Sequence, residues 1–275
     1  MNDMTHHDLK GRVALVIGAG SIATGVGIGR AISLYLARAG AHVIAADYDL
    51  DAAQDTVARI HDEGGQAEAS VVNVLEDDSI ISMMDGISAR HGRLDILHCN
   101  VGLGRSGPSD QTSAADWRRI SDANLTSLHV AAQAALPMMR AQGRGVITVT
   151  STIASIRHVG YPRLAYAATK AGANQFARAL AVELAPEGIR VNAIIAGLID
   201  TPRIGVTLAQ SYGDRSEQEM RDARARQCPM GRMGTAWDIA EAAVFLASDR
   251  AGYITGTELV VDGGLSASVR QTVDG

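Results

Sequence analysis

The run RVALVI at residues 12–17, followed at once by GAGSIATGVGIGRAISLYLARAG, limits the possible folds more than any other stretch of this chain. A short, unbroken β-branched run fits a strand buried on both faces rather than one with a wet side. Five glycines then fall between Gly18 and Gly29, ahead of a helical pattern through Ile32, Leu36 and Ala39. A strand, a glycine-rich turn and a helix N-terminus together make an anion site. Bare backbone can approach a pyrophosphate there, and the unpaired amides and helix dipole favour its charge. Alone, a glycine-rich turn is a weak signal; its position between strand and helix strengthens it.

The alternation continues along the chain. A strand at residues 42–46 ends on Asp47, a helix runs from about Asp51 to Glu63, and a strand covers 67–74. A helix over 77–91 and a strand over 94–99 follow, with later strands at 190–195 (RVNAII) and 258–261 and a helix over 237–247. Strands separated by helical patterns of about 10–15 residues predict parallel pairing with helices on both faces. The expected fold is α/β: a single doubly wound Rossmann-type domain over 1–275, with a parallel sheet of about seven strands. Ligands in such sheets bind beyond the carboxyl ends of the strands, where Asn73, Asn100 and Gly102 fall.

Asp47 stands at the tip of the second strand, where an acid can hydrogen-bond the adenosine ribose hydroxyls and repel a 2′-phosphate. Tyr48 rather than Arg follows it, which predicts NAD in preference to NADP. The competing reading has Asp47 merely opening the loop or capping the next helix.

Net charge is −5 and the arginines are interspersed with acids, which argues against a nucleic-acid partner. No run approaches the roughly 18 apolar residues of a membrane span, and MNDMTHHDLK lacks the apolar segment of a signal peptide. A cytoplasmic protein without a membrane partner is expected. Cys99 and Cys228 are too isolated for a disulfide framework, the histidines show no ligand spacing, and no metal is expected. His6 and His7 read as a polar tail.

The stretch TVTSTIASIRHVGYPRLAYAATK, residues 148–170, carries the clearest chemistry. Tyr166 and Lys170 are four apart and share one helix face. An ammonium beside a phenol favours the phenolate; lowering tyrosine from about 10 by ~3 units corresponds to ~4 kcal/mol. Such a tyrosine exchanges protons near neutral pH. Pairs like this also arise by chance on surface helices. Here, however, Lys10 and Lys170 are the only lysines against 23 arginines, and lysine tolerates burial and pKa tuning as arginine does not. A Ser/Thr cluster lies just upstream.

A long helical region spans about 113–142, marked by Trp117, Ile120, Leu128 and Leu136, with Asn124 inside it. Taken alone, a mid-helix Asn reads as a solvated or capping residue. The alanine-rich helix holding Tyr166 suggests burial on two sides, one of them intermolecular. Residues 202–234 show no strand pattern and carry six arginines. They read either as a mobile lid over a substrate or as a solvated amphipathic helix.

Together these residues resemble the short-chain dehydrogenases/reductases over roughly 9–265. The Tyr166/Lys170 YxxxK pair, Asn124, the glycine-rich first turn, Asp47, the Asn100–Gly102 segment, AGLIDTP and ITGTELVVDGG fall in that family's order and spacing. The resemblance implies a tetrad of Asn, Ser, Tyr and Lys around NAD(P). In it Tyr166 is the general acid/base, and Lys170 binds the nicotinamide ribose and lowers the tyrosine pKa. Asn124 interrupts its helix to hold a water linking Lys170 to solvent. Thr201 and the Ile199 backbone orient the carboxamide. Further cofactor contacts are implied at Gly18, Gly20, Ser21, Gly27, Ile28, Asp47, Tyr48, Asn73, Val74, Asn100, Gly102 and Gly197, and the assembly is implied to be a homotetramer or homodimer.

Four features depart from the family pattern. Gly18 and Gly27 are separated by eight residues, so either the phosphate loop is expanded or Gly20 or Gly25 takes over a role. CNVG at 99–102 stands where NNAG is usual. Asn73 stands where an acid commonly meets adenine, and its amide oxygen still accepts a hydrogen bond. Finally, Thr152 occupies the place of the catalytic serine, with Ser151 one residue earlier. Neighbouring strand residues point to opposite faces; register favours Thr152 and residue identity favours Ser151.

The resulting expectation is an NAD-dependent oxidoreductase interconverting a small-molecule secondary alcohol and a ketone. The alternatives are an NADPH-dependent 3-oxoacyl-thioester reductase and a non-catalytic NAD-binding scaffold or sensor. Arg157, His158, Arg163 and Arg203 flank the expected pocket, either as anchors for a carboxylate or phenol or as solvated loop charges.

Overall fold

The computed structural model describes residues 8–104, 107–208 and 216–268. His6, His7 and residues 209–215 of the expected lid lie outside the described residues.

Seven strands form one parallel sheet: β1 (Val13–Ile17), β2 (His42–Asp47), β3 (Gln66–Val71), β4 (Ile96–Cys99), β5 (Gly145–Thr152), β6 (Ile189–Ala196) and, last in the chain, Glu258–Val261. Two further short strands, β7 (Ile199–Asp200) and β8 (Gly234–Thr235), pair with each other, so the final sheet strand is β9. The sheet order is β3-β2-β1-β4-β5-β6-β9. The chain winds outward from β1 to β3 and returns to lay β4 against β1 on its other side. The order reverses between β1 and β4, and a crevice opens at the carboxyl ends of strands at such a point.

Period-two alternation divides the core into two layers. Val13, Leu15 and Ile17 of β1 pack with helices α3 (Asp77–His91), α5 (Ser127–Gln142) and α6 (Leu164–Leu184). Ala14 and Val16 face the opposite side, against α1 (Ile28–Arg38), α2 (Leu50–Asp62) and α8 (Ala236–Ala247). A smaller cluster of Leu198, Ile204, Met220, Cys228 and Met233 forms under α7 (Glu217–Ala225). Helix starts follow their caps: Asp49 accepts from the amides of Asp51 and Ala52 at α2, and Ser216 and Thr235 build reciprocal capping boxes at α7 and α8.

Two expected elements differ. The third strand stops at Val71 rather than residue 74, because the Asn73 side chain accepts the Leu75 amide and turns the chain. The helix expected over 113–142 is broken: α4 (Ala114–Ser121) passes into a π-type turn over Asp122–Thr126 before α5 begins.

The fold also gathers His42, Glu68 and His91 at one place, with ligand atoms within 4.8 Å of one another, a grouping sequence spacing did not reveal. Arg90 already bonds the Glu68 carboxylate at 2.8 Å, and its charge competes with any cation there. Among the described residues no helix is long and apolar enough to cross a membrane.

Candidate active site

A cleft of about 230 Å³ opens at the carboxyl ends of β1, β4, β5 and β6. Tyr166 and Lys170 reach it from the first turns of α6, and both converge on Gly102, just past β4. A Cβ built on Gly102 would lie 3.5 Å from Lys170 Cε and 3.6 Å from Tyr166 Oη. Lys170 is 2% exposed, and its Nζ donates to the carbonyls of Val101 and Thr150, each at 2.8 Å. Burial pushes its ammonium down to about 7, and the charge of Arg203 adds to the shift.

Behind the lysine, His98 of β4 is fully buried between Thr148 Oγ1 at 2.7 Å and Thr150 Oγ1 at 2.9 Å. Burial, reinforced by Lys170, pushes the imidazole down to about 3. It is therefore a neutral crosslink between β4 and β5 at physiological pH. Cys99 beside it is pushed up to about 12 by burial and stays a thiol.

Asn124 is 3% exposed and lies in the π-type turn. Its Oδ1 accepts from the Leu103 amide at 2.7 Å, while Nδ2 donates to the Leu103 carbonyl at 2.8 Å and to Thr169 Oγ1 at 3.0 Å. The helix break thus clamps the loop after β4 to α6. A small closed cavity of about 10 Å³ lies beside Lys170 and Asn124; about this much space holds one water.

The two candidate hydroxyls of β5 diverge as the pleat requires. Ser151 is 2% exposed and donates to the Lys170 backbone carbonyl at 3.3 Å, inside the layer under α6. Thr152, half-buried at the strand end, accepts from the Ala154 amide at 3.3 Å. Both contribute atoms to the cleft wall.

The glycine-rich segment has the shape of a phosphate cradle. Gly18 sits at φ +85°, and a Cβ on Gly29 would fall 1.9 Å from the Gly18 carbonyl oxygen. Gly29 is therefore what lets α1 pack so close to β1, a role its sequence position alone did not reveal. A Cβ on Gly20 would meet Asp47 Oδ2 at 2.9 Å, because the Gly20 amide donates to that carboxylate at 2.8 Å. Gly27 precedes the first residue of α1, whose leading amides carry no side-chain cap. Asn100 Nδ2 holds the Gly18 carbonyl at 2.9 Å. Uncapped amides at a helix N-terminus, bare glycines and a carboxylate at the β2 tip fit a nicotinamide dinucleotide.

A family model described as enoyl-(acyl carrier protein) reductase matches residues 22–266. The chain is 36% identical over 265 residues to 3beta-hydroxysteroid dehydrogenase 1 of Eggerthella lenta, covering 95% of this chain and 96% of that protein. This chain belongs to the short-chain dehydrogenase/reductase family. It is also 36% identical to cis-4-hydroxycyclohexanecarboxylate dehydrogenase of Sinomonas cyclohexanicum, over 93% of this chain and 97% of that one. A solved gluconate 5-dehydrogenase from Burkholderia cenocepacia, in complex with NADP and tartrate, superimposes with a TM-score of 0.84 at 31% identity. That likeness covers 96% of this chain and 98% of the solved one. The protein is accordingly an NAD(P)-dependent oxidoreductase acting on CH–OH groups.

Within this short-chain dehydrogenase/reductase, Gly20, Ser21, Gly27, Ile28, Asn100, Gly102, Gly197, Ile199 and Thr201 line the cleft together with Tyr166 and Lys170. Gly18, Asp47, Tyr48, Asn73 and Val74 do not line it. Tyr48 is 74% exposed beyond the β2 tip, and Asn73 spends its amide on Glu76 at 2.7 Å and its oxygen on the Leu75 amide. Val74 packs on the α3 core and lines the small cavity instead. Within the eight-residue spacing, Gly25 at φ +122° lies against Pro202.

Of the four expected pocket charges, Arg163 and Arg203 line the cleft. Arg157 instead binds the backbone carbonyls of Leu265 and Ser268, and exposed His158 accepts from the Gly160 amide. Arg224, which sequence reasoning missed, joins the lining from α7 and is 5% exposed.

Proposed function

We propose that this protein interconverts a secondary alcohol and a ketone with NAD as cofactor, Tyr166 serving as general acid/base. The observation that carries this reading is the convergence of Tyr166 Oη and the buried Lys170 on Gly102. A nicotinamide dinucleotide held with its pyrophosphate in the glycine cradle would supply the hydride acceptor for the carbinol carbon, or the donor for the carbonyl carbon. In oxidation the Tyr166 phenolate takes the hydroxyl proton; in reduction the phenol returns it. Lys170 is anchored on the Val101 and Thr150 carbonyls, and it lines the same cleft as Tyr166. Thr152 Oγ1 steadies the substrate oxygen. Ser151 is already bonded to α6 and takes no part. The break at Asn124 and the water-sized cavity beside it support proton passage between Lys170 and solvent.

Asp47 favours NAD: its carboxylate is fixed by the Gly20 amide at 2.8 Å and the Asp49 amide at 3.2 Å, and no basic residue follows it. Arg30, the nearby buried cation, pairs with Asp55 at 2.8 Å. We also read the segment around α7 as a substrate lid, and α6, with its exposed Val182, as an interface in a homodimer or homotetramer.

The test is turnover of a panel of cyclic and acyclic secondary alcohols with NAD and with NADP, for wild type and Asp47→Ala. The expected result is oxidation with a preference for NAD that falls by about tenfold or more in the variant, as loss of a charged hydrogen bond implies. Faster reduction of an acetoacetyl thioester with NADPH than of any simple ketone would contradict the reading.

A further inference from the structure

The cleft wall is electrically one-sided. Among the described residues, Lys170, Arg163, Arg203 and Arg224 line it and no Asp or Glu does. Arg163 is the member whose position is hardest to explain by folding alone. Its guanidinium carbon lies 4.1 Å from the Tyr166 ring centroid and 5.9 Å from that of Tyr161. Gly104 admits it, since a Cβ there would stand 2.9 Å from Arg163 Nη2 and 2.8 Å from Tyr166 Cδ2. The arginine therefore lies over the Tyr166 ring and beside Gly104 of the loop after β4. Its Nε is buried and has no hydrogen-bond partner. A buried guanidinium N–H left unpaired keeps its full desolvation penalty, and native structures rarely leave one without a reason.

The phosphate cradle between β1 and α1 does not account for this group. Arg163 packs instead on Gly104 and Tyr166, at the head of α6. Arg203, from beyond β7, reaches the Gly102 carbonyl and adds its charge to the same space. Burial holds Lys170 near 7, and the charge of Arg203 is the lesser cause; an anion entering the cleft opposes that second contribution.

We propose that the substrate is a secondary alcohol bearing a carboxylate, and that Arg163 is the residue that binds this carboxylate. The proposal rests on the reading of Tyr166 as general acid/base. The planar fork of Nε and one Nη matches a carboxylate edge to edge. Fixed on the Tyr166 ring, Arg163 holds the hydroxyl-bearing end of a hydroxy acid beside Oη, so recognition and orientation come from one contact.

The experiment compares hydroxy acids with their methyl esters as paired substrates, using 4-hydroxycyclohexanecarboxylate and 3-hydroxybutyrate, for wild type, Arg163→Gln and Arg163→Lys. It adds calorimetric binding of cyclohexanecarboxylate, which cannot react, to the enzyme saturated with NADH. The expected result is an acid-over-ester ratio of kcat/KM of about 10–100 in wild type, the range of one charge-assisted hydrogen bond. That ratio collapses toward one in Arg163→Gln, mainly through KM, and partly returns in Arg163→Lys. Cyclohexanecarboxylate binding weakens in the same order. Equal turnover of acids and esters by wild type, or an acid preference that survives Arg163→Gln, overturns the carboxylate assignment while leaving the dehydrogenase reading intact. A phosphate-bearing alcohol such as glycerol 3-phosphate outperforming every acid overturns it as well. No turnover of any acid, ester or neutral alcohol, with cyclohexanecarboxylate binding unaffected by either variant, sinks both.

Discussion

Thr152 and Ser151 differ by one position on β5, and the pleat sends one into the α6 layer and the other to the cleft rim. The divergence was legible in the sequence; that Ser151 would be bonded to α6 was not, because that depends on where the α6 backbone lies. Thr152→Val is expected to lower kcat by about 10²–10³, the usual loss of one donor to a reacting oxygen, with Thr152→Ser retaining most activity and Ser151→Ala staying within a few-fold. Steady-state kinetics on the three variants decides it, and a large loss confined to Ser151→Ala would reverse the assignment. Arg224 was illegible for a related reason. On a helix rich in charge, an arginine reads as solvated, and only the packing of α7 over Met233 turns it inward.

The elements were largely readable from their periods and caps. The bounds expected for α3 and β9 agree with the structure, and buried β-branched runs marked β1 and β6. The break at Asp122–Thr126 was not readable from periodicity. Apolar positions continue across it, and no proline or glycine falls within Asp122–Thr126; only the family resemblance pointed to Asn124. Its cause is tertiary: Asn124 answers both backbone groups of Leu103. Asn124→Ala leaves the half-buried Leu103 amide and carbonyl without this partner, so the expected loss is about 1–3 kcal/mol of unfolding free energy, with kcat falling as the loop after β4 loosens. Chemical denaturation measures the first and kinetics the second; an equally stable variant would show that the clamp does not hold the turn.

At the scale of the whole molecule, one buried ammonium ties stability to pH. Lys170 ionises at about 7 in the folded protein, below the usual lysine value of about 10.4. Between those values the unfolded chain holds more protons than the folded one, so stability rises with pH across that window, and the full penalty is present below it. Relative to Lys170→Met, wild type is therefore expected to gain stability as pH rises from about 7 to 10, by an amount on the order of several kcal/mol. Denaturant melts of both proteins at several pH values check the slope; parallel curves would mean the lysine is not desolvated. The parallel sheet with helices on both faces was implied by the alternation of strands and helices, whereas the cationic lining of the cleft arises only when α6, α7 and the loops after β4 and β7 meet. All of this chemistry depends on one hydroxyl. The most direct measurement is Tyr166→Phe against wild type, with turnover of a secondary alcohol and NADH affinity determined on the same preparations. Turnover reduced by about 10²–10⁴ with NADH affinity changed by no more than a few-fold is the predicted result, and a variant that turns over at the wild-type rate would contradict the account.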